Sequence, residues 1–134
     1  MKRYLLDTSA LLTLRDNEAG ADQVAALLYQ AQDGTHECLG CFITLMEIFY
    51  RVWRDENAGA GRLAYEQSQA LPIHWLHEDQ ALLEKAAEVK ATQNLSLADA
   101  WIAACALLQG AILVHKDPEL AVIACEQIVL PLKR

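Results

Sequence analysis

Four acids, Asp7, Glu47, Asp99 and Asp117, stand where a carboxylate is difficult to explain as ordinary solvated charge. Asp7 follows the apolar run Tyr4-Leu5-Leu6, and Asp117 follows Ala111-Ile112-Leu113-Val114 with only His115 and Lys116 between. Glu47 is the single formal charge between Glu37 and Arg51, and after Asp99 no formally charged residue recurs before Lys116. A carboxylate in apolar surroundings must be paired, protonated or bound to a cation, because otherwise its desolvation costs several kcal/mol. The cations that suit such a set are Mg²⁺ and Mn²⁺, hard ions that take oxygen ligands and keep several waters; a set without histidine or thiolate disfavours zinc. Two such ions close together can activate a water, hold a scissile phosphate and stabilise the leaving oxygen. Crowded carboxylates also repel one another, which makes cation binding favourable.

Each acid has a plainer explanation. Asp-Thr-Ser at positions 7 to 9 suits a helix cap, Thr44-x-x-Glu47 and Ser96-x-x-Asp99 suit capping boxes, and Asp117 before Pro118 suits a turn. Glu47 with Arg51 also fits an i, i+4 ion pair. The shared placement weighs against four unrelated caps. Two acids end strands and two open apolar helices in their first turn, so all four can meet at one edge of one sheet, where a helix dipole also favours an ionised carboxylate.

The elements that must position them alternate. Strands are expected at Tyr4–Leu6, Glu37–Cys41, Ile73–Leu76, Ala111–Val114 and Gln127–Leu130. Helices are expected at Ala10–Leu14 with Thr8 or Ser9 as cap, at Ala21–Gln32 and at Thr44–Arg54. Asn57–Gly61 reads as a break, followed by helices at Arg62–Ala70, Asp79–Thr92 with Leu82, Leu83, Ala86 and Val89 inward, and Ser96–Gln109 closed by Gly110. Strands alternating with helices imply an α/β fold with a mainly parallel sheet of about five strands, covered on both faces.

The chain of 134 residues, 54% hydrophobic and 22% charged, is sized for a single domain over residues 1–134. No apolar stretch approaches the ~20 residues of a membrane span, and an acid already stands at position 7, so a cytoplasmic protein is expected. A net charge of −7 argues against a nonspecific nucleic-acid binder, which gains affinity from lysine and arginine. Bound divalent cations would reverse that charge locally, so the objection weakens the nucleic-acid reading without removing it.

Taken together, Leu5-Leu6-Asp7-Thr8-Ser9-Ala10-Leu11-Leu12, Ile43-Thr44-Leu45-Met46-Glu47-Ile48, Leu95-Ser96-Leu97-Ala98-Asp99-Ala100-Trp101-Ile102-Ala103-Ala104-Cys105-Ala106 and Ala111-Ile112-Leu113-Val114-His115-Lys116-Asp117-Pro118-Glu119-Leu120 resemble a PIN-domain ribonuclease of the VapC toxin type. The resemblance implies a PIN-like three-layer α/β fold, Mg²⁺- or Mn²⁺-dependent hydrolysis of RNA with metal-activated water, 5′-phosphate and 3′-hydroxyl products, homodimerisation and inhibition by a cognate antitoxin. It makes Asp7, Glu47, Asp99 and Asp117 both the metal ligands and the catalytic set, with Ser9 as a supporting group. The pattern departs at His115, where the family often has Thr or Ser, and Glu119 reads as an exposed turn glutamate that could add a ligand.

Other classes fit less well. A receiver-like signalling domain would need paired acids after the first strand, and a haloacid-dehalogenase-like phosphatase would need Asp-x-Asp, where Ser9 stands instead. A non-catalytic PIN-like module that binds RNA or protein is set against only by the complete acidic set. Cys38 and Cys41 have redox spacing without the aromatic and proline neighbours of such sites, and a chain of this size needs no disulfide framework, so the four cysteines read as mostly reduced, partly buried thiols. His36, His74 and His77 are too irregular for a ligand set. Phe49, Tyr50 and Trp53 offer a surface for an amphipathic antitoxin helix or a second protomer. Arg15, Arg51, Arg54 and Lys116 are candidates for holding RNA phosphates or for pairing with carboxylates.

Overall fold

The computed structural model describes residues 1–132. Five strands form one sheet: β1 (Arg3–Leu6), β2 (Glu37–Cys41), β3 (His74–Leu76), β4 (Ile112–His115) and β5 (Gln127–Val129). Their order is β3-β2-β1-β4-β5 and every neighbouring pair is parallel. The receiver-like order 2-1-3-4-5 is therefore not the one adopted.

Alternation along the central strands builds three layers. Tyr4, Leu6, Cys38, Ile112 and Val114 face one core with residues of α1 (Thr8–Arg15), α2 (Ala21–Gln32), α3 (Phe42–Asp55) and α4 (Ala58–Gln69). Leu5, Leu39, Cys41 and Leu113 face the other, against α5 (Gln80–Thr92) and α6 (Leu97–Gln109). Strands buried on both faces need apolar residues at odd and even positions alike, which is why these runs do not alternate with polar residues. Cys38 and Cys41, three positions apart on an extended chain, consequently point into opposite cores, and no redox pair forms between them.

Two local expectations are corrected and one element is added. The break expected at Asn57–Gly61 is confined to Glu56 and Asn57: Asn57 caps α4 by accepting from Ala60 N at 2.8 Å, and the glycines lie inside the helix. Gly61 is there because α4 crosses α3 closely; a Cβ at that position would sit 2.7 Å from Phe49 O. Leu83 points outward, leaving Leu82, Ala86 and Val89 as the buried stripe of α5. A short 3₁₀ turn over Pro118–Val122, unforeseen in the sequence, carries the chain away from Asp117. Among the described residues no helix is long and apolar enough to cross a membrane.

Candidate metal centre

The strand order reverses between β1 and β4, since the chain leaves β1 for β2 on one side and later returns to add β4 on the other. Such a reversal opens a crevice beyond the carboxyl ends of the two strands, the usual ligand position in open parallel sheets. Asp7 directly follows β1, and Asp117 stands two residues beyond β4.

Asp7 is the cap of α1, so Thr8 and Ser9 are helical and not caps. Its Oδ2 accepts from Ser9 N at 3.2 Å and from Ser9 Oγ at 2.5 Å. The same Ser9 Oγ accepts from Lys116 N at 2.9 Å, tying the start of α1 to the segment after β4. Asp7 is nonetheless buried, and burial raises its pKa above the ordinary aspartate value despite the donors from Ser9.

Glu47 lies in the second turn of α3, not the first, because that helix begins at Phe42 with Cys41 as its cap. The capping box therefore does not form; Thr44 is wholly buried inside the helix, 3.0 Å from Thr8 Oγ1. Thr8 Oγ1 donates to Glu47 Oε1 at 2.7 Å, and Arg51 pairs with Oε2 at 3.2 Å, so the anticipated i, i+4 pair is present.

Asp99 is in the first turn of α6, and its backbone N donates to the capping Ser96 Oγ at 3.2 Å. Its carboxyl is pushed up to about 8 by burial, then by contact with Asp117 and by the charges of Asp7, Asp117 and Glu47. The other three predicted acids thus all act on Asp99 at a single edge. Asp117 Oδ1 accepts from Glu119 N at 3.0 Å, which brings Glu119 into the group. Oxygens of Asp99, Asp117 and Glu119 lie within 4.8 Å of one another. Glu119 is exposed, as its sequence reading has it, yet it is nearer to Asp99 and Asp117 than a solvated turn acid need be. The signal for it was the two-residue step from Asp117 across Pro118, which a tight turn converts into proximity.

The donor set is made of carboxylate oxygens, with one member buried, one half-buried and one exposed. That chemistry fits a hard divalent cation that keeps part of its water shell. The candidate phosphate-holding cations are engaged otherwise. Arg15 pairs with Asp16 and Glu56 at 3.0 and 2.8 Å, Arg54 with Asp55 at 3.1 Å, and Lys116 Nζ donates to Ala19 O at 2.7 Å. The cysteines are free; burial pushes the Cys38 thiol up to about 11, and contact with Cys41 raises Cys105 further, so these thiols are chemically quiet.

The sequence pattern of the PIN domain family matches residues 4–125. This chain belongs to the PIN domain family. Among solved structures of this fold, VapBC2 from Rickettsia felis bound to a promoter DNA fragment aligns at TM-score 0.76 and 14% identity, covering 96% of this chain and 99% of that one. DNA-bound VapBC from Salmonella typhimurium aligns at TM-score 0.76 and 18% identity over 96% and 98% of the two chains. VapC20 of Mycobacterium tuberculosis, described as a Sarcin-Ricin loop cleaving toxin, aligns at TM-score 0.72 and 15% identity over 96% and 99%. No curated protein matches the sequence. The likeness to VapC-type PIN domains is thus one of fold along nearly the whole chain.

Proposed function

We propose that this PIN domain is a Mg²⁺- or Mn²⁺-dependent endoribonuclease and the toxin of a toxin-antitoxin pair. One observation carries the reading: Asp99 faces Asp117 and Glu119 while Asp7 and Glu47 act on it electrostatically, at the switch point of a parallel sheet. Asp7, Glu47, Asp99 and Asp117 would hold the metal ions directly or through water, with Glu119 as a further oxygen donor. Bound there, the ions would supply Lewis acidity toward a phosphodiester and its attacking water.

The chain's own residues do the preparatory work. Ser9 orients the Asp7 carboxylate, Thr8 orients that of Glu47, and Ser96 fixes the turn that presents Asp99. Burial of Asp7 and Asp99 excludes bulk water from the inner side of the cluster, which strengthens its attraction for a cation. The similar VapBC complexes support a cognate antitoxin as partner, and the exposed Met46, Tyr50 and Trp53 on α3 offer it or a second protomer an apolar face. Free thiols fit work in the reducing cytoplasm.

The test is sequencing of RNA ends after brief expression of the wild type beside Asp7→Asn. New 5′-phosphate ends at a restricted set of sites in the wild type alone are expected. The same ends in both strains, or none in either, would sink the proposal.

A further inference from the structure

His115 ends β4 wholly buried, and both of its ring nitrogens are used. Its Nδ1 accepts from the backbone N of Asp117 at 3.1 Å, and its Nε2 stands 2.8 Å from Gln127 Oε1 on the neighbouring strand β5. A nitrogen that accepts from an N–H carries no hydrogen, so in a neutral ring the hydrogen sits on Nε2 and is donated to Gln127. The glutamine corroborates that assignment from its other end. Its Nε2 donates to Leu120 O and Ile123 O, both at 3.0 Å, which fixes Oε1 toward the histidine.

The three backbone groups held by this pair, Asp117 N, Leu120 O and Ile123 O, span the segment that carries Asp117 and Glu119. Two of the three mutually close metal-ligand candidates therefore ride on a stretch of chain clamped by these two side chains. We propose that His115 and Gln127 are positioning residues that set the Asp117–Glu119 arm of the metal site through its backbone. The proposal rests on the metal-site reading above. It gives the departure from Thr or Ser at position 115 a purpose, since the imidazole links Asp117 N to the next strand as a single bridge.

A purely structural pair would affect folding alone, whereas a positioning pair also affects the cation. The experiment titrates Mn²⁺ into the metal-stripped full chain, reading free Mn²⁺ by electron paramagnetic resonance, with parallel melting in EDTA. His115→Gln and Gln127→Met are expected to weaken Mn²⁺ binding by about 10- to 100-fold, the range for groups that orient metal ligands. His115→Asn, whose Oδ1 can take the place of Nδ1 toward Asp117 N, is expected to lose less than either. Unchanged Mn²⁺ affinity in His115→Gln and Gln127→Met, whatever happens to their melting, would overturn the inference while leaving the metal site intact. A wild type that binds no Mn²⁺ would overturn the metal reading and this inference together. Nitrogen-15 spectra of the wild-type imidazole test the arrangement even if the variants do not fold: hydrogen on Nε2 supports the clamp, and hydrogen on Nδ1 overturns it.

Discussion

The acidic edge has two sides that differ in how their charge is met. On the Asp7–Glu47 side, each carboxylate already has donors: Ser9 serves Asp7, while Thr8 and the Arg51 guanidinium serve Glu47. On the Asp99–Asp117–Glu119 side, carboxylates face one another, and among the described residues no lysine or arginine pairs with any of the three. Burial first, and then like charges brought together without a cation, raise the proton affinity of Asp99. Donors hold both carboxylates of the first side, although burial still raises the proton affinity of Asp7, and on the proposed reading a cation would complete the second.

The comparison predicts unequal effects. Asp117→Asn removes a donor from the uncompensated side, and RNA cleavage measured on a total-RNA substrate with Mn²⁺ is expected to fall by more than about 100-fold, beyond the range for supporting residues. Next is a pH effect in EDTA. The Asp99 carboxyl is raised from 3.8 to about 8, so between those values the folded chain holds a proton that the unfolded chain has released. This contribution to stability is fully present below 3.8 and lost as pH rises through about 8. Urea midpoints should therefore fall from pH 5 to pH 8, with a smaller fall in Asp99→Asn; an equal slope in the two proteins would break the comparison.

Smaller effects belong to the compensated side. Thr8→Val takes the hydroxyl from Glu47 and is expected to cost about 1.5–3 kcal/mol in urea unfolding, the scale of a hydrogen bond to a charged group. Arg51→Ala frees Glu47 from a competing cation, and Mn²⁺ affinity should rise by about two- to fivefold, the equivalent of a partly exposed ion pair worth up to ~1 kcal/mol. A fall in affinity instead would mean that Arg51 supports the metal site and that the two sides are not distinct in the way described.

Much of this was legible in the sequence because its signals were redundant. The strand at Tyr4–Leu6 and the helix at Ser96–Gln109 each had an apolar run and a stop or cap, and the structure places β1 and α6 there within a residue of the reading. The four acids stand out in the sequence because each interrupts or follows such a run. What escaped depended on contacts between elements. The glycines of α4 looked like a break because the closeness of α3, which requires Gly61, is a property of the packed pair and not of either segment. Glu47 was placed one helical turn too early because Thr44 resembles a cap, whereas its hydroxyl is committed to Thr8 thirty-six residues away. The clamp on His115 depended on the 3₁₀ turn, whose short span leaves no periodicity to recognise.

Binding of a divalent cation at this edge through Asp99 and its neighbours is tested by direct Mn²⁺ titration of the metal-stripped wild type beside Asp99→Asn. Saturable binding in the wild type, lost in Asp99→Asn while both proteins melt cooperatively in EDTA, is the predicted result. Binding of equal strength in the two proteins, or none in the wild type, would contradict it.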